Sequence, residues 1–158
     1  MKTAIIYYSF EGNTALVAKT AASVVNADIF EIKTADTRKR KGLAKYLWGG
    51  GQALRRKKPA LLPLHIDINA YDLVILGTPV WAGCPAPAIV SFLDKTKITG
   101  KKVALFCCHG GGKGKVFAKL KALLPGISIA GEIDFVNPAK TESADLKKKL
   151  GDWIKTLA

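Results

Sequence analysis

Residues 3–14 of the chain read TAIIYYSFEGNT, and this stretch decides the fold. Residues 3–8 form a continuous apolar and β-branched run, which is typical of a strand that is covered on both faces. Residues 9–14 are rich in turn-forming types, and the small and branched side chains of residues 15–25 suit a packed helix. The stretch therefore predicts a strand, a tight loop and a helix in succession.

The same alternation of strands and helices continues to the end of the chain. The sequence predicts further strands at residues 28–32, 72–77, 102–108 and 132–136. Pro85 and Pro87 can open a second helix, because proline is tolerated in the first helical turn, and residues 116–124 predict a third. The last helix carries one apolar stripe at helical spacing, formed by Leu146, Leu150, Trp153, Ile154 and Leu157. Five strands that alternate with four helices indicate one doubly wound parallel α/β sheet.

The size and composition of the chain fit one globular domain. Its 158 residues are 49% hydrophobic and 23% charged, close to the average of soluble proteins, which excludes a disordered or collagen-like chain. No apolar run reaches the roughly 20 residues of a membrane span, and no signal peptide is visible, so we expect a cytoplasmic protein. Cys84, Cys107 and Cys108 form no C-x-x-C pair, which favours reduced thiols over a disulfide framework or a zinc site.

The chain is strongly basic, with 25 Lys and Arg residues against 12 Asp and Glu residues and a formal net charge of +13. Residues 36–58, between the second and third predicted strands, contain nine basic residues and one acidic residue. We expect a basic extension of the domain at about residues 36–62. Two interpretations are open: a solvated excursion packed by Tyr46 and Trp48, or a docking surface for an acidic protein, nucleic acid or anionic lipid.

Ligands of an open parallel sheet bind beyond the carboxyl ends of its strands, so the loops after the first, third and fourth strands form the candidate site. Residues 9–14 offer two hydroxyls, an amide and several backbone N–H groups at a helix N-terminus, which favour a phosphate. The chain has no G-x-x-x-x-G-K-[ST] loop, and no G-x-G-x-x-G follows the first strand. A single monophosphate held by neutral donors therefore fits better than a triphosphate or a dinucleotide.

The other two loops suit a planar ligand. Trp81 stands between Pro79 and Gly83 directly beyond a predicted buried strand, where its indole can stack on a planar ring. A tryptophan of the core is the alternative. Residues 107–114 read CCHGGGKG, and glycines let bare backbone approach a ligand closely. Together the three loops indicate a binding site more strongly than any one of them alone.

With these motifs the sequence resembles the flavodoxin family over nearly its whole length, apart from the basic segment. Residues 9–14 resemble the family's phosphate loop, and residues 78–83 and 108–112 resemble its second and third flavin loops. The resemblance, which is to the short-chain variety, implies the strand order 2-1-3-4-5 and non-covalent binding of FMN. The cofactor-binding residues that it implies are Ser9, Phe10, Glu11, Gly12, Asn13, Thr14, Thr78, Pro79, Val80, Trp81, Ala82, Gly83, Cys108, His109, Gly110, Gly111 and Gly112.

The resemblance further implies an electron-transfer flavoprotein whose FMN cycles between the oxidised, semiquinone and hydroquinone states. Because the flavin carries the redox chemistry, no catalytic side chain is required. The alternative is an FMN-dependent NAD(P)H oxidoreductase of the quinone or flavin reductase type, since the third loop lacks the tyrosine that often covers the outer flavin face. A third possibility, a nucleic-acid or membrane docking module with a vestigial flavin, lacks any nucleic-acid fold signature.

The chain departs from the family in its charge, because flavodoxins are usually acidic. We therefore expect redox partner proteins with acidic docking surfaces, and no nucleic-acid partner. Cys107, Cys108 and His109 are consecutive, so their side chains alternate between the two faces of a strand and do not suit one metal ion. We expect the two cysteines to be buried or half-buried and His109 to lie in the loop near the flavin edge, where it can donate a hydrogen bond.

Overall fold

The computed structural model describes residues 1–35 and 58–157, so most of the predicted basic segment, with Tyr46 and Trp48, lies outside the described residues. The described strands are β1 (Thr3–Tyr7), β2 (Asp28–Glu31), β3 (Leu73–Trp81), β4 (Cys84–Pro85), β5 (Lys102–His109) and β6 (Ser128–Val136). The described helices are α1 (Asn13–Val25), α2 (Pro87–Lys95), α3 (Val116–Ala122) and α4 (Ser143–Lys155). Short 3-10 turns lie at Ile68–Ala70 and Pro138–Lys140.

One parallel sheet carries the fold, with the strand order β2-β1-β3-β5-β6. β1 lies between β2 and β3, so that Ile5 is opposite Ile29 on one side and Ile75 on the other. Every residue of β1 is buried, as expected for a strand of a sheet that is covered on both faces. The predicted order 2-1-3-4-5 is confirmed for the five parallel strands. The two-residue β4 is an addition, and it pairs antiparallel with the end of β3.

Helices cover both faces of the sheet and divide the apolar core into two layers. The layer under α1 and α4 includes Val17, Leu146 and Leu150. The layer under α2 and α3 includes Ile89, Phe92, Val116 and Leu120. The stripe predicted for the last helix is confirmed for Leu146, Leu150 and Ile154, which are buried, and Trp153 is partly buried. Leu157 is also buried, but it lies beyond the end of α4 at Lys155. Burial of one such leucine stabilises the fold by roughly 1.5–3 kcal/mol.

The third strand is longer than predicted. β3 continues past residue 77 to Trp81 and turns back through Ala82 and Gly83 into β4. Both turn residues have positive φ, 51° and 69°, which is typical of a two-residue type I′ hairpin. In sequence, Pro79 and Gly83 give this stretch the composition of a loop, because proline donates no hydrogen bond to a strand partner and glycine favours turns.

β5 and β6 also differ from the predicted strands. β5 ends at His109, so this histidine belongs to the strand and not to the following loop. β6 begins at Ser128 rather than at residue 132. It is an edge strand with mostly half-exposed side chains, so it lacks the apolar run that marks a buried strand in sequence. Among the described helices, none has the length and apolar character needed to cross a membrane.

Candidate cofactor site

Three loops meet at the edge of the sheet where the parallel strands end. They are the first loop (residues 9–14), the hairpin (residues 78–85) and the third loop (residues 110–115). The ring of Trp81 in the hairpin lies 5.6 Å from that of Phe10 in the first loop, centroid to centroid. The backbone N–H of Lys115 in the third loop donates to the carbonyl oxygen of Gly83 in the hairpin at 3.2 Å. The loops that the sequence singled out therefore form one continuous surface.

The first loop leads into the N-terminus of α1, and the Ser9 hydroxyl holds it in place. Ser9 Oγ accepts hydrogen bonds from the backbone N–H groups of Gly12 and Ala15, both at 3.2 Å. Gly12 has a φ of 96°, which glycine adopts at little cost. The first N–H groups of a helix have no partner inside it, and α1 has no acidic residue in its first turn. The loop therefore presents a positive partial charge that suits an anion.

Two polar side chains of the first loop are bonded within the chain. Asn13 Oδ1 accepts from the backbone N–H of Ala139 at 3.2 Å, which ties the loop to the 3-10 turn after β6. Thr14 is 1% exposed, and its hydroxyl hydrogen-bonds the thiol of Cys108. Glu11 is exposed at the tip of the loop. Asn13 and Thr14 thus position the loop, and the backbone N–H groups at the N-terminus of α1 are the donors that suit a phosphate.

The hairpin holds Trp81 at the surface in one orientation. Trp81 is half-buried, and its ring is nearly perpendicular to those of Tyr8 and Phe10, at interplanar angles of 83° and 89°. Perpendicular ring contacts are a preferred aromatic geometry and add to the stability of the pair. Trp81 therefore fits both predictions made from sequence, a core residue and a ring-stacking residue, since it packs on the core and also lies at the edge of the site.

A buried threonine supports the hairpin from below. Thr78 is 1% exposed, and its hydroxyl accepts from the backbone N–H of Ala86 and donates to the carbonyl oxygen of Pro79, both at 2.9 Å. Val80 and Pro79 are half-buried, whereas Ala82 is exposed. Thr78 therefore fixes where the hairpin begins, and the turn end of the hairpin is the part that faces solvent.

Tyr8 is a site residue that the sequence analysis did not single out. Its ring lies 6.0 Å from the ring of Trp81, and the residue is 7% exposed. Burial, aided by the carboxylate of Glu31, raises the pKa of Tyr8 to about 12, so its hydroxyl stays neutral at physiological pH. In sequence, Tyr8 is one more apolar residue of the first strand. Its place beside Trp81 depends on the pairing of β1 with β3.

The third loop presents bare backbone. Gly110, Gly111 and Gly112 are exposed, and a Cβ atom on Gly111 or Gly112 would meet none of the described atoms within 4 Å. Gly114, by contrast, has a φ of 52° and packs directly on Gly83, where its Cβ atom would lie 2.6 Å from the Cα atom. The loop therefore has open space around its first glycines and close backbone packing at its end.

Asp134 of β6 holds two basic side chains beside the third loop. Nε2 of His109 lies 3.1 Å from one carboxylate oxygen, and Nζ of Lys113 lies 2.8 Å from the other. The hydrogen bond from Lys113, opposed by partial burial and aided by His109, lowers the pKa of Asp134, so this carboxyl is ionised at neutral pH. Asp134 carries no signal in sequence, because only the pairing of β5 with β6 brings it beside His109.

The cysteines near the site are buried, as predicted for Cys107 and Cys108. Burial is the main cause that raises the pKa of each of these two thiols to about 12. Both are therefore protonated at physiological pH and weak as nucleophiles. Cys84 is also free and buried. Within residues 1–35 and 58–157, no group of His, Cys, Asp and Glu side chains could hold a metal ion.

Solved structures of flavoproteins resemble this chain over nearly its full length. A flavoprotein from Lactobacillus acidophilus NCFM, crystallised in complex with FMN, is 26% identical, with a TM-score of 0.76 and 97% of this chain and 98% of that chain covered. The apo-form of the flavoprotein from the same organism, solved by NMR, is 28% identical, with a TM-score of 0.63 and coverages of 89% and 95%. Oxidised flavodoxin 1 from Bacillus cereus shares the fold at 19% identity, with a TM-score of 0.54 and coverages of 99% and 97%.

Sequence comparison gives the family directly. No curated protein sequence matches the chain significantly. The sequence profile of the family described as Flavodoxin, however, matches residues 2–157. The match spans nearly the whole chain, and the observed strand order and structural neighbours agree with it. This chain belongs to the flavodoxin family.

Proposed function

We propose that this chain binds FMN non-covalently and acts as an electron-transfer protein. The observation that carries the proposal is the meeting of a helix N-terminal loop, Trp81 and a glycine backbone at one edge of the sheet. These three parts suit a phosphate, a planar ring and the polar edge of that ring. The FMN complex of the related Lactobacillus acidophilus flavoprotein supports the choice of cofactor.

Each part of the site has one task in this proposal. The backbone N–H groups at the N-terminus of α1 hold the phosphate without a positive side chain, and Ser9 keeps the first loop in shape. The indole of Trp81, steadied by Tyr8 and Phe10, lies against the isoalloxazine. Bound FMN supplies one-electron and hydride chemistry. The protein binds the cofactor, orients it and limits its contact with water.

The charge around the site supports an acidic redox partner. Lys115 and Lys140 are exposed on the third loop and on the 3-10 turn after β6, and the whole chain carries +13. Complementary charge accelerates encounter between proteins. At physiological salt the field is screened over about 8 Å, so these lysines contribute more to docking at the site than distant ones do. The free, buried cysteines support a reducing compartment, the cytoplasm.

A second candidate function is an FMN-dependent NAD(P)H oxidoreductase. The observation that favours it is the open third loop, where the glycines at 110–112 are exposed and offer no side chain to cover a cofactor ring. A small acceptor could reach the ring there. Steady consumption of NADH or NADPH by the purified protein with FMN and a quinone would favour the reductase. Absence of turnover, with fast electron exchange with a protein partner, would favour the carrier.

Titration with FMN tests the binding proposal directly. We expect protein purified without denaturation to show the visible absorbance bands of bound flavin, or to acquire them when micromolar FMN is added. Riboflavin, which lacks the phosphate, should bind more weakly if the first loop holds the phosphate. A colourless protein that takes up no FMN would contradict the proposal, and equal affinity for the two flavins would contradict the assigned role of the first loop.

Replacing Trp81 by alanine is expected to weaken FMN binding by roughly tenfold or more, which corresponds to ~1.4 kcal/mol. The loss should be the same for riboflavin, because the indole contacts the ring and not the phosphate. Trp81→Phe should retain part of the affinity. Trp153→Phe, at a partly buried tryptophan on α4, is the matched control and should leave FMN affinity unchanged. Unchanged affinity in Trp81→Ala would assign Trp81 to the core alone.

A further inference from the structure

We propose that Nδ1 of His109 accepts a hydrogen bond from the ring N–H of the flavin, and that Asp134 and Lys113 position the imidazole for this contact. The inference rests on the proposed FMN site, because it names the group of the cofactor that one side chain recognises. It goes beyond the loop backbone and the stacking tryptophan. The direction of the hydrogen bond is also the reverse of the one expected from sequence, where His109 was predicted to be the donor.

The hydrogen on the imidazole is placed by Asp134. Nε2 of His109 lies 3.1 Å from Oδ2 of this carboxylate. The lowered pKa of Asp134 keeps the carboxylate ionised, and an ionised carboxylate oxygen can only accept a hydrogen bond. Nε2 must therefore carry the hydrogen. In a neutral imidazole the other nitrogen, Nδ1, then has a lone pair and acts as an acceptor.

Lys113 bonds the same carboxylate as His109. Its Nζ atom lies 2.8 Å from Oδ1 of the same carboxylate, so one ammonium group already balances the charge of Asp134. The His109 side chain is only 8% exposed. The three side chains therefore present one buried acceptor, Nδ1.

This acceptor lacks a partner within the described part of the chain. Nδ1 of His109 is buried and makes no hydrogen bond there. A buried polar atom without a partner is rare in native proteins and calls for a specific explanation. Its position supplies one: His109 is the last residue of β5, beside the hairpin strand β3 and directly before the exposed glycines of the third loop. Nδ1 is thus a buried acceptor without a described partner, on the residue that leads into the third loop.

Only one group of the oxidised flavin ring can donate a hydrogen bond to Nδ1 of His109. An acceptor on the protein requires a donor on the ligand, and oxidised isoalloxazine has a single ring N–H, the imide N–H of its pyrimidine ring. Its other heteroatoms at that edge are carbonyl oxygens and unprotonated nitrogens, which cannot donate. A site that hydrogen-bonds such an N–H discriminates strongly against an analogue that lacks it. The geometry therefore points to recognition of the imide by His109.

The test compares FMN with FMN methylated at the imide nitrogen, in the wild type and in His109→Phe, at about pH 8. We expect the wild type to bind the methylated flavin at least tenfold more weakly than FMN. His109→Phe keeps a ring of similar size without an acceptor, so it should bind FMN less tightly and lose most of the discrimination. His65→Phe, at the other and exposed histidine, should behave like the wild type.

The outcomes separate this inference from the binding proposal. Wild-type protein that binds both flavins equally, or a His109→Phe variant that discriminates as strongly as the wild type, would overturn the inference and leave FMN binding in place. Failure of the wild type to bind FMN would overturn both. NMR of protein labelled at the imidazole nitrogens gives a second readout. Added FMN should shift the Nδ1 resonance of His109 and leave His65 unchanged, and an unmoved His109 resonance would contradict the hydrogen bond.

Discussion

Replacing Gly77 by alanine is expected to destabilise the folded protein by about 3 kcal/mol, at the upper end of the cost of overpacking a core. Gly77 in β3 lies opposite Phe106 of β5, and a Cβ atom on Gly77 would overlap the phenyl ring. Phe106 is fully buried, so its ring has no free volume to enter. Denaturant titration followed by circular dichroism measures the loss as a change in the free energy of unfolding.

Two further variants separate this clash from other effects of the substitution. In a Phe106→Leu background the ring is absent, so Gly77→Ala should cost less there than in the wild type. Gly151→Ala, in the interior of α4, meets Val24 Cγ1 at an ordinary 3.8 Å. It should stabilise the protein by roughly 0.5–1 kcal/mol, because alanine is the better helix former. Wild-type stability in Gly77→Ala would contradict the close packing of β3 on β5.

Gly114→Ala is expected to weaken FMN binding at least tenfold, because it separates the hairpin from the third loop. A Cβ atom on Gly114 would lie 2.6 Å from the Cα atom of Gly83, and the φ of 52° is itself unfavourable for alanine. The nearby hydrogen bond from the Lys115 N–H to the Gly83 carbonyl oxygen would lengthen. Flavin titration measures the affinity, and thermal unfolding without flavin measures the accompanying change in stability.

Gly126→Ala is the matched control for Gly114→Ala. Gly126 has a similar positive φ, 72°, but its Cβ atom would meet none of the described atoms within 4 Å. It lies between α3 and β6, outside the three loops. This control should lose roughly 1 kcal/mol of stability, the usual cost of a left-handed alanine, with FMN affinity unchanged. Equal affinity in Gly114→Ala and Gly126→Ala would show that contact between the two loops is not needed for binding.

Local patterns were enough to predict the main elements of the fold. The apolar run of β1 predicts a strand covered on both faces, and its residues are all buried. The spacing of Leu146, Leu150 and Ile154 predicts the buried stripe of α4. Both signals depend on residues that are neighbours in sequence, because burial imposes a period on a helix and continuity on a central strand.

The ends of elements at the site could not be predicted in the same way. Pro79 favours a loop locally, yet β3 extends to Trp81 because pairing with β5 and β4 outweighs the local preference. His109 precedes three glycines, so the sequence predicted that it lies in a loop. In the structure it pairs with β6 and is the last residue of β5. The contact of Tyr8 with Trp81 could not be predicted, because in sequence Tyr8 is one residue of an apolar run. In each case a partner strand far along the chain decided the outcome.

The sequence alone predicted the three loops that form the candidate site, and its resemblance to the flavodoxin family predicted the strand order. Only the tertiary structure placed Tyr8 against Trp81, turned the hydroxyls of Thr14 and Thr78 inward, and brought Asp134 to His109. The physical reason is that hydrogen bonds and ring contacts act over a few ångströms between groups that are distant in sequence. The periodicity of apolar residues predicts which face of a helix or strand is buried, but it does not predict which side chain of another element lies opposite that face.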